Sequence, residues 1–200
     1  IDKSTVVFNM ITNPVKSKVR INDSKTVVYM GALIPTKGFL QLAKLWKYIL
    51  KHIPDAKLKV IGTGQVYSRD IKMGKFGIAE ESFENQFMPF LTDNFGKIHE
   101  SVQFLGLLDE DKYNVFLNAS VGVINPSART EIFSMSIMEM AAAELPVVTL
   151  NSNGLAISVA APGGENTLSY YMPYELGNNT TFSSMGQSSL YLQKVRPENN

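Results

Sequence analysis

KTVVYMGALIPTKGFLQLAKLWKYILKHIPDAKLKVIGTG, Lys25–Gly64, decides the fold. Its first seven residues form a short β-branched run that ends in glycine, the pattern of a buried strand. Apolar residues then recur at helical spacing as Phe39, Leu40, Leu42, Ala43, Leu45, Trp46, Ile49 and Leu50, with lysines opposite. Pro54 closes that helix, and KLKVIGTG, Lys57–Gly64, reads as the next strand. Strand, helix and strand follow one another over about 30 residues, the size of a βαβ crossover.

The same rhythm returns further along. SVQFLG, Ser101–Gly106, reads as a strand, and LDEDKYNVFLNAS as a helix with Asp109 as its N-cap. VGVINPS, Val121–Ser127, is the next strand, FSMSIMEMAAAEL the next helix, and PVVTLNSNG a strand running into a turn. Alternation of this kind predicts an α/β fold, a parallel sheet with helices on both faces. Between the two runs, Gln65–Lys97 is less regular, with Gly74, Gly77, Pro89, Gly96 and five phenylalanines, and reads as a long insertion holding a weak helix or two. Beyond Gly154 the pattern fades into one helix turn and an edge strand. Residues 177–200 are polar and rich in serine and asparagine, so the expected division is one domain over 1–176 and a tail after it.

Composition narrows the classes. Nineteen basic and 18 acidic residues leave a net charge of +1, which gives no support to a nucleic-acid or polybasic membrane surface. The chain has no cysteine, which excludes disulfides, thiol catalysis and cysteine-bound zinc. His52 and His99, the two histidines, are far apart and have no acid at ligand spacing, so no metal site is expected. No apolar run approaches the ~20 residues of a membrane span. The opening residues IDKSTVVF lack the layout of a signal peptide and read as a start inside a longer chain.

In an open parallel sheet, ligands bind at the carboxyl ends of the strands. Three segments there carry suitable chemistry. GALIPTKG, Gly31–Gly38, offers glycines, a following helix N-terminus and the charge of Lys37, a combination suited to phosphate. IGTG, Ile61–Gly64, is a tight turn, but it lacks the third glycine and the following acid of a dinucleotide motif, which disfavours an NAD-dependent oxidoreductase. TEIFSMSIMEM, Thr130–Met140, holds Glu131 just before a helix expected to start near Phe133, and Glu139 within it. Were the segment helical throughout, eight steps would separate the carboxylates by a rise of about 12 Å. That is too far for a glycosidase pair, which needs roughly 5–9.5 Å. It suits one elongated ligand with a polyol at each end, such as a sugar nucleotide. The plain alternative is a solvated helix face.

Taken in order, these pieces resemble the C-terminal domain of GT-B fold glycosyltransferases, specifically the large retaining family 4, over roughly residues 13–159. VVYMGALIPTKG resembles that family's strand and glycine loop, HIPDAKLKVIGTG its next strand and G-x-G turn, and VQFLGLLDEDKYNVFLNASVGVINPS its strand, helix and strand ending in Pro-Ser. EIFSMSIMEMAAAELPVV is similar to its Glu-x7-Glu segment, with an aromatic two places after the first Glu. The resemblance implies a Rossmann-like sheet that forms one half of a GT-B fold. It implies that Lys37 pairs with the donor pyrophosphate, that Glu131 is the catalytic-site carboxylate on the transferred sugar, and that Glu139 holds the ribose. Backbone N–H groups of Phe133, Ser134 and Met135 would face sugar and phosphate, while Gly31, Gly62 and Gly64 would give the donor close access.

The partner implied is a nucleoside-diphosphate sugar of the UDP or GDP type, as substrate rather than cofactor, with no bound metal. A missing N-terminal domain would supply the acceptor site. The expected location is the cytoplasm, with any membrane attachment made through the missing part of the chain. The chain also departs from the family pattern. Ala32 replaces an arginine, Ile132 and Ser134 replace the glycines flanking the aromatic, Glu144 replaces the glycine before Leu-Pro, and Gly154–Ile157 replaces Gly-x-Pro-Glu. These changes leave open a second reading, a degenerate module that keeps the fold for interaction or regulation.

Overall fold

The structure, a computed structural model, describes residues 24–67, 70–125, 134–150 and 169–172. Among these residues, six strands form one sheet: β1 Thr26–Met30, β2 Lys57–Ile61, β3 Val102–Gly106, β4 Val121–Val123, β5 Val147–Leu150 and β6 Ser169–Met172. Their order in space is β3-β2-β1-β4-β5-β6, and every neighbouring pair is parallel. The α/β reading and the edge strand after Gly154 are therefore borne out, the latter as β6. The boundary at 176 and the tail lie outside the described residues.

Among the described residues, four α-helices lie between the strands: α1 Phe39–His52, α2 Glu81–Phe87, α3 Lys112–Leu117 and α4 Met135–Ala142. The strand order explains where three of them pack. The β1-to-β2 connection steps one way along the sheet, whereas β3-to-β4 and β4-to-β5 step the other way. Right-handed crossovers then place α1 on one face and α3 and α4 on the opposite face. The buried side chains form two clusters accordingly. On one face Tyr29, Leu58 and Val60 meet Phe39, Trp46, Phe83 and Phe87. On the other, Val28, Ile61 and Val147 meet Tyr113, Phe116, Ile137 and Met140. Val28 and Tyr29 are consecutive yet serve different cores, because strand side chains alternate between faces. Each large apolar side chain so buried contributes about 1.5–3 kcal/mol.

The insertion between β2 and β3 contains α2 and a 3-10 turn at Met88–Phe90. Phe87 packs edge-on against Phe39 of α1, with ring centroids 5.0 Å apart. Glu84, 1% exposed, turns its carboxylate back to accept the N–H groups of Phe76 (2.7 Å), Ile78 (2.8 Å) and Ala79 (3.2 Å). A buried carboxylate is tolerated because these donors replace its hydration.

Four boundaries in particular differ from the sequence reading. β2 and β4 stop at Ile61 and Val123, short of Gly64 and Ser127, since Gly62 (φ 141°) and Asn125 (φ 40°) turn the backbone out of extended geometry. α3 starts at Lys112, not after an Asp109 cap. Its preceding residue is Asp111, whose side chain makes no capping bond. Residues 109–111 coil into a turn, and the Asp109 carbonyl, rather than its carboxylate, accepts the Lys112 N–H at 3.3 Å. α4 starts at Met135, two residues after the expected Phe133, because Ser134 is extended (φ −103°, ψ 107°) and serves as its N-cap. The helix therefore does not run unbroken from Glu131 to Glu139.

Candidate functional site

Chain order reverses between β1 and β4, which are neighbours in space. Loops leaving the carboxyl ends of these two strands diverge to opposite faces, and the crevice between them is where open α/β sheets bind ligands. The loop after β1 is Gly31–Gly38, and α4 is the next described element after β4, so of the sequence-predicted segments the first loop and the α4 part of the other belong to this switch point.

The first loop is fixed at three points. Gly31 donates to the Ile61 carbonyl and Leu33 to the Thr63 carbonyl, each at 3.0 Å. The Leu33 side chain is buried in the first core. Tyr29, fully buried in β1, donates its hydroxyl to the Lys37 carbonyl at 2.8 Å. The loop ends in a 3-10 turn, Pro35–Lys37, and Gly38 takes a left-handed conformation (φ 72°) that admits α1. Lys37 is half-buried at the mouth of that helix. Ala32, in the place of the family's arginine, is buried.

The G-x-G turn has a structural reason of its own. A Cβ on Gly62 would collide with the Gly31 carbonyl, and one on Gly64 would lie 2.6 Å from the Ala79 Cα. The close approach that demands glycine is made by the chain's own backbone at both positions. Gly62 also donates to the Gly106 carbonyl at 2.8 Å and Gly64 to the Ile78 carbonyl at 2.9 Å. The turn is thereby sewn to β3 on one side and to the Glu84-held loop on the other.

On the second side, Ser134 is buried and its hydroxyl accepts the Ile137 N–H at 3.4 Å. The first-turn amides of Met135 and Ser136 have no carbonyl within the helix to bond, and the dipole is positive at that end. Glu139 is not a solvated face residue. Its Oε1 accepts a hydrogen bond from Lys112 Nζ at 2.7 Å, and both side chains are 15% exposed. Burial presses the Lys112 pKa down, but the hydrogen bond and charge of Glu139 outweigh it and hold it above the usual lysine value. Burial, and then the charge of Glu139, also raise that of the neighbouring Tyr113. Glu131 and Phe133 lie outside the described residues.

Tyr29 and Lys112 are the members the sequence reading missed. Each had a faint signal. Tyr29 puts a phenol hydroxyl in the middle of a largely apolar buried strand, and Lys112 puts a cation at the dipole-positive end of a helix. His52 packs its ring beside Tyr48 on α1, 4.6 Å between centroids, and His99 bonds through Nδ1 to the Ser101 hydroxyl at 2.8 Å. Among the described residues, no three His, Asp or Glu side chains gather closely enough to ligate a metal ion. Among the same residues, no helix is long and apolar enough to cross a membrane. A cavity of about 340 Å³ lies at the amino-terminal edge of the sheet, lined by Trp46, Leu50, Phe90, Asp93 and His99 among others, away from the β1/β4 crevice.

A Rossmann-like parallel sheet thus carries the Lys37 loop after β1 and the Glu139-bearing α4 beyond β4. Residues 12–168 match the family described as Glycosyl transferases group 1, and the chain belongs to it. A Haemophilus influenzae protein described as an uncharacterized glycosyltransferase is 26% identical over 136 residues, 68% of this chain and 32% of that protein. YtcC of Bacillus subtilis, named as a glycosyltransferase, is 28% identical over 151 residues, 75% of this chain and 34% of that protein. The chain thus spans about a third of the length of these relatives.

Solved structures show the same fold. The glycosyltransferase of Rickettsia africae superposes with a TM-score of 0.53 at 18% identity, covering 74% of this chain and 33% of that one. TarM gives 0.55 at 18% identity over 84% of this chain and 28% of its own. Anabaena HepE, solved in complex with UDP-glucose, gives 0.51 at 18% identity over 68% and 32%.

Proposed function

We propose that the chain is the donor-binding domain of a glycosyltransferase that moves a sugar from a nucleoside-diphosphate sugar to a glycan, lipid or similar acceptor. The carrying observation is the β1/β4 crevice, with the Lys37 loop on one side and the half-buried, lysine-paired Glu139 of α4 on the other. In this reading Lys37 and the α1 and α4 N-termini stabilise the diphosphate as it leaves, by preorganised positive charge. Glu139 accepts the ribose hydroxyls and Glu131 those of the transferred sugar. The membership shown above and the UDP-glucose held by HepE support a donor of the UDP type. The Glu-x7-Glu spacing supports the retaining family 4 assignment. The nucleotide sugar is itself a substrate, and no separate cofactor or metal is invoked. The acceptor site belongs to another domain of a longer, cytoplasmic protein, as the one-third coverage of the relatives supports. This chain alone then binds donor without transferring it.

Titration of single variants tests the assignment. Glu139→Ala should weaken a bare nucleoside diphosphate and its sugar conjugate by a similar factor, because both contain ribose. Glu131→Ala should weaken only the conjugate. If neither variant shifts either affinity, the glutamates are surface residues. If the parent chain binds no nucleotide, the degenerate interaction module is the better description.

A further inference from the structure

We propose that Lys112 is a positioning residue for nucleotide recognition: from α3 it holds the Glu139 carboxylate of α4 in the orientation that accepts the ribose hydroxyls. The inference rests on the ribose reading of Glu139 above and adds the group that gives this carboxylate its direction.

A glutamate on a helix has three rotatable side-chain bonds, so its carboxylate is directed only if something fixes it. An ionised carboxylate offers about four acceptor positions. Lys112 Nζ, 2.7 Å from Oε1, occupies one of them and leaves Oε2 and the rest of Oε1 for a diol. The lysine is itself constrained. It is the first residue of α3, its ammonium lies 5.4 Å from the centre of the Tyr113 ring, and Tyr113 is locked edge-on against Phe116 in the core. Asp109, Glu110 and Asp111 precede it, yet the ion pair it makes is with Glu139, across to the next helix. A lysine there is unfavourable to the dipole of α3. Its pairing with Glu139 supplies the reason for the position.

The test is the preference for ribose over deoxyribose, which a merely structural ion pair would not set. The chain is titrated with UDP and 2′-deoxy-UDP, and with the guanosine pair. The parent should favour the ribonucleotide by about tenfold or more, as hydrogen bonds to a charged group do. Lys112→Met should bring that ratio close to one through lost ribonucleotide affinity, leave the deoxynucleotide within about threefold of the parent, and be rescued by Lys112→Arg. Lys112→Gln carries the same expectation should the methionine variant not fold. A parent-like ratio in the folded variants, or an equal loss of both nucleotides, overturns the proposal alone. A parent that binds the two sugars equally, or binds no nucleotide, overturns the ribose reading and this proposal with it.

Discussion

Lys37 and Lys112 stand at the starts of helices, where the dipole repels a cation, and each is held there by something specific. For Lys37 it is the Tyr29 hydroxyl on its carbonyl; for Lys112 it is Glu139. A hydrogen bond to a charged group contributes about 1.5–3 kcal/mol. Lys37→Ala should therefore weaken UDP or GDP binding by about tenfold to a hundredfold and leave the parent nucleoside unchanged, as read by calorimetry. Lys112 has a pH signature as well. Its raised pKa means that the folded state holds the proton more tightly than the unfolded chain does. The pair's contribution is then fully present below the unfolded value of about 10.4 and disappears as pH rises through the elevated folded value. Urea melts of parent and Lys112→Met should differ by a constant amount up to about pH 10 and converge above it. Lys37 was legible in the sequence because its glycine loop is local. Lys112 was not, because its partner lies 27 positions away and only the packing of α3 beside α4 unites them.

The end of α4 shows how an element absorbs an unusual residue. The Leu145 N–H returns to the Met140 carbonyl at 2.9 Å and the Glu144 N–H to that of Ala141 at 2.8 Å, a Schellman ending. Such an ending requires a left-handed residue, and here it is Glu144 at φ 56°, where the family pattern has glycine. The Cβ penalty there is about 1–2 kcal/mol, and glycine gives back part of it as unfolded-state entropy. Glu144→Gly should thus stabilise the domain by about 0.5–1 kcal/mol in equilibrium denaturation, with nucleotide affinity unchanged. α1 was legible because fourteen residues of apolar periodicity outweigh any boundary error. α3 was misplaced at its start because an acid-rich run caps equally well on paper with any of its members. The insertion was blurred because α2 has seven residues and is held largely by Glu84 and its contact with α1, neither of which is a local pattern.

For the whole molecule, alternation of strands and helices gave the layered class, but strand order had no local signature. That order locates the crevice, since it decides that the loops after β1 and β4 are neighbours. It also gives Gly62 and Gly64 their meaning. A sequence reader sees two glycines at a ligand turn, whereas the structure shows two places where backbone crosses backbone.

The neighbourhood of β1 and β4 also has a consequence in time. Within residues 24–106 the sheet grows by pairing each strand with the one next in sequence, Thr26 opposite Lys57 and Leu58 opposite Val102. β4 must then return past both to set Val121 opposite Val27. Closing that long loop is the entropically slower event, so the first three strands should assemble ahead of it. Trp46, the sole tryptophan, lies wholly on the early side and bonds to Ser101 at 2.9 Å. In stopped-flow refolding its emission should settle in a phase before a fluorescent nucleoside diphosphate can bind. Simultaneous recovery of the two signals would mean that the sheet forms in one step. On the sequential route, every ligand-competent molecule has passed through a stage in which its tryptophan was already buried and its crevice had only one wall.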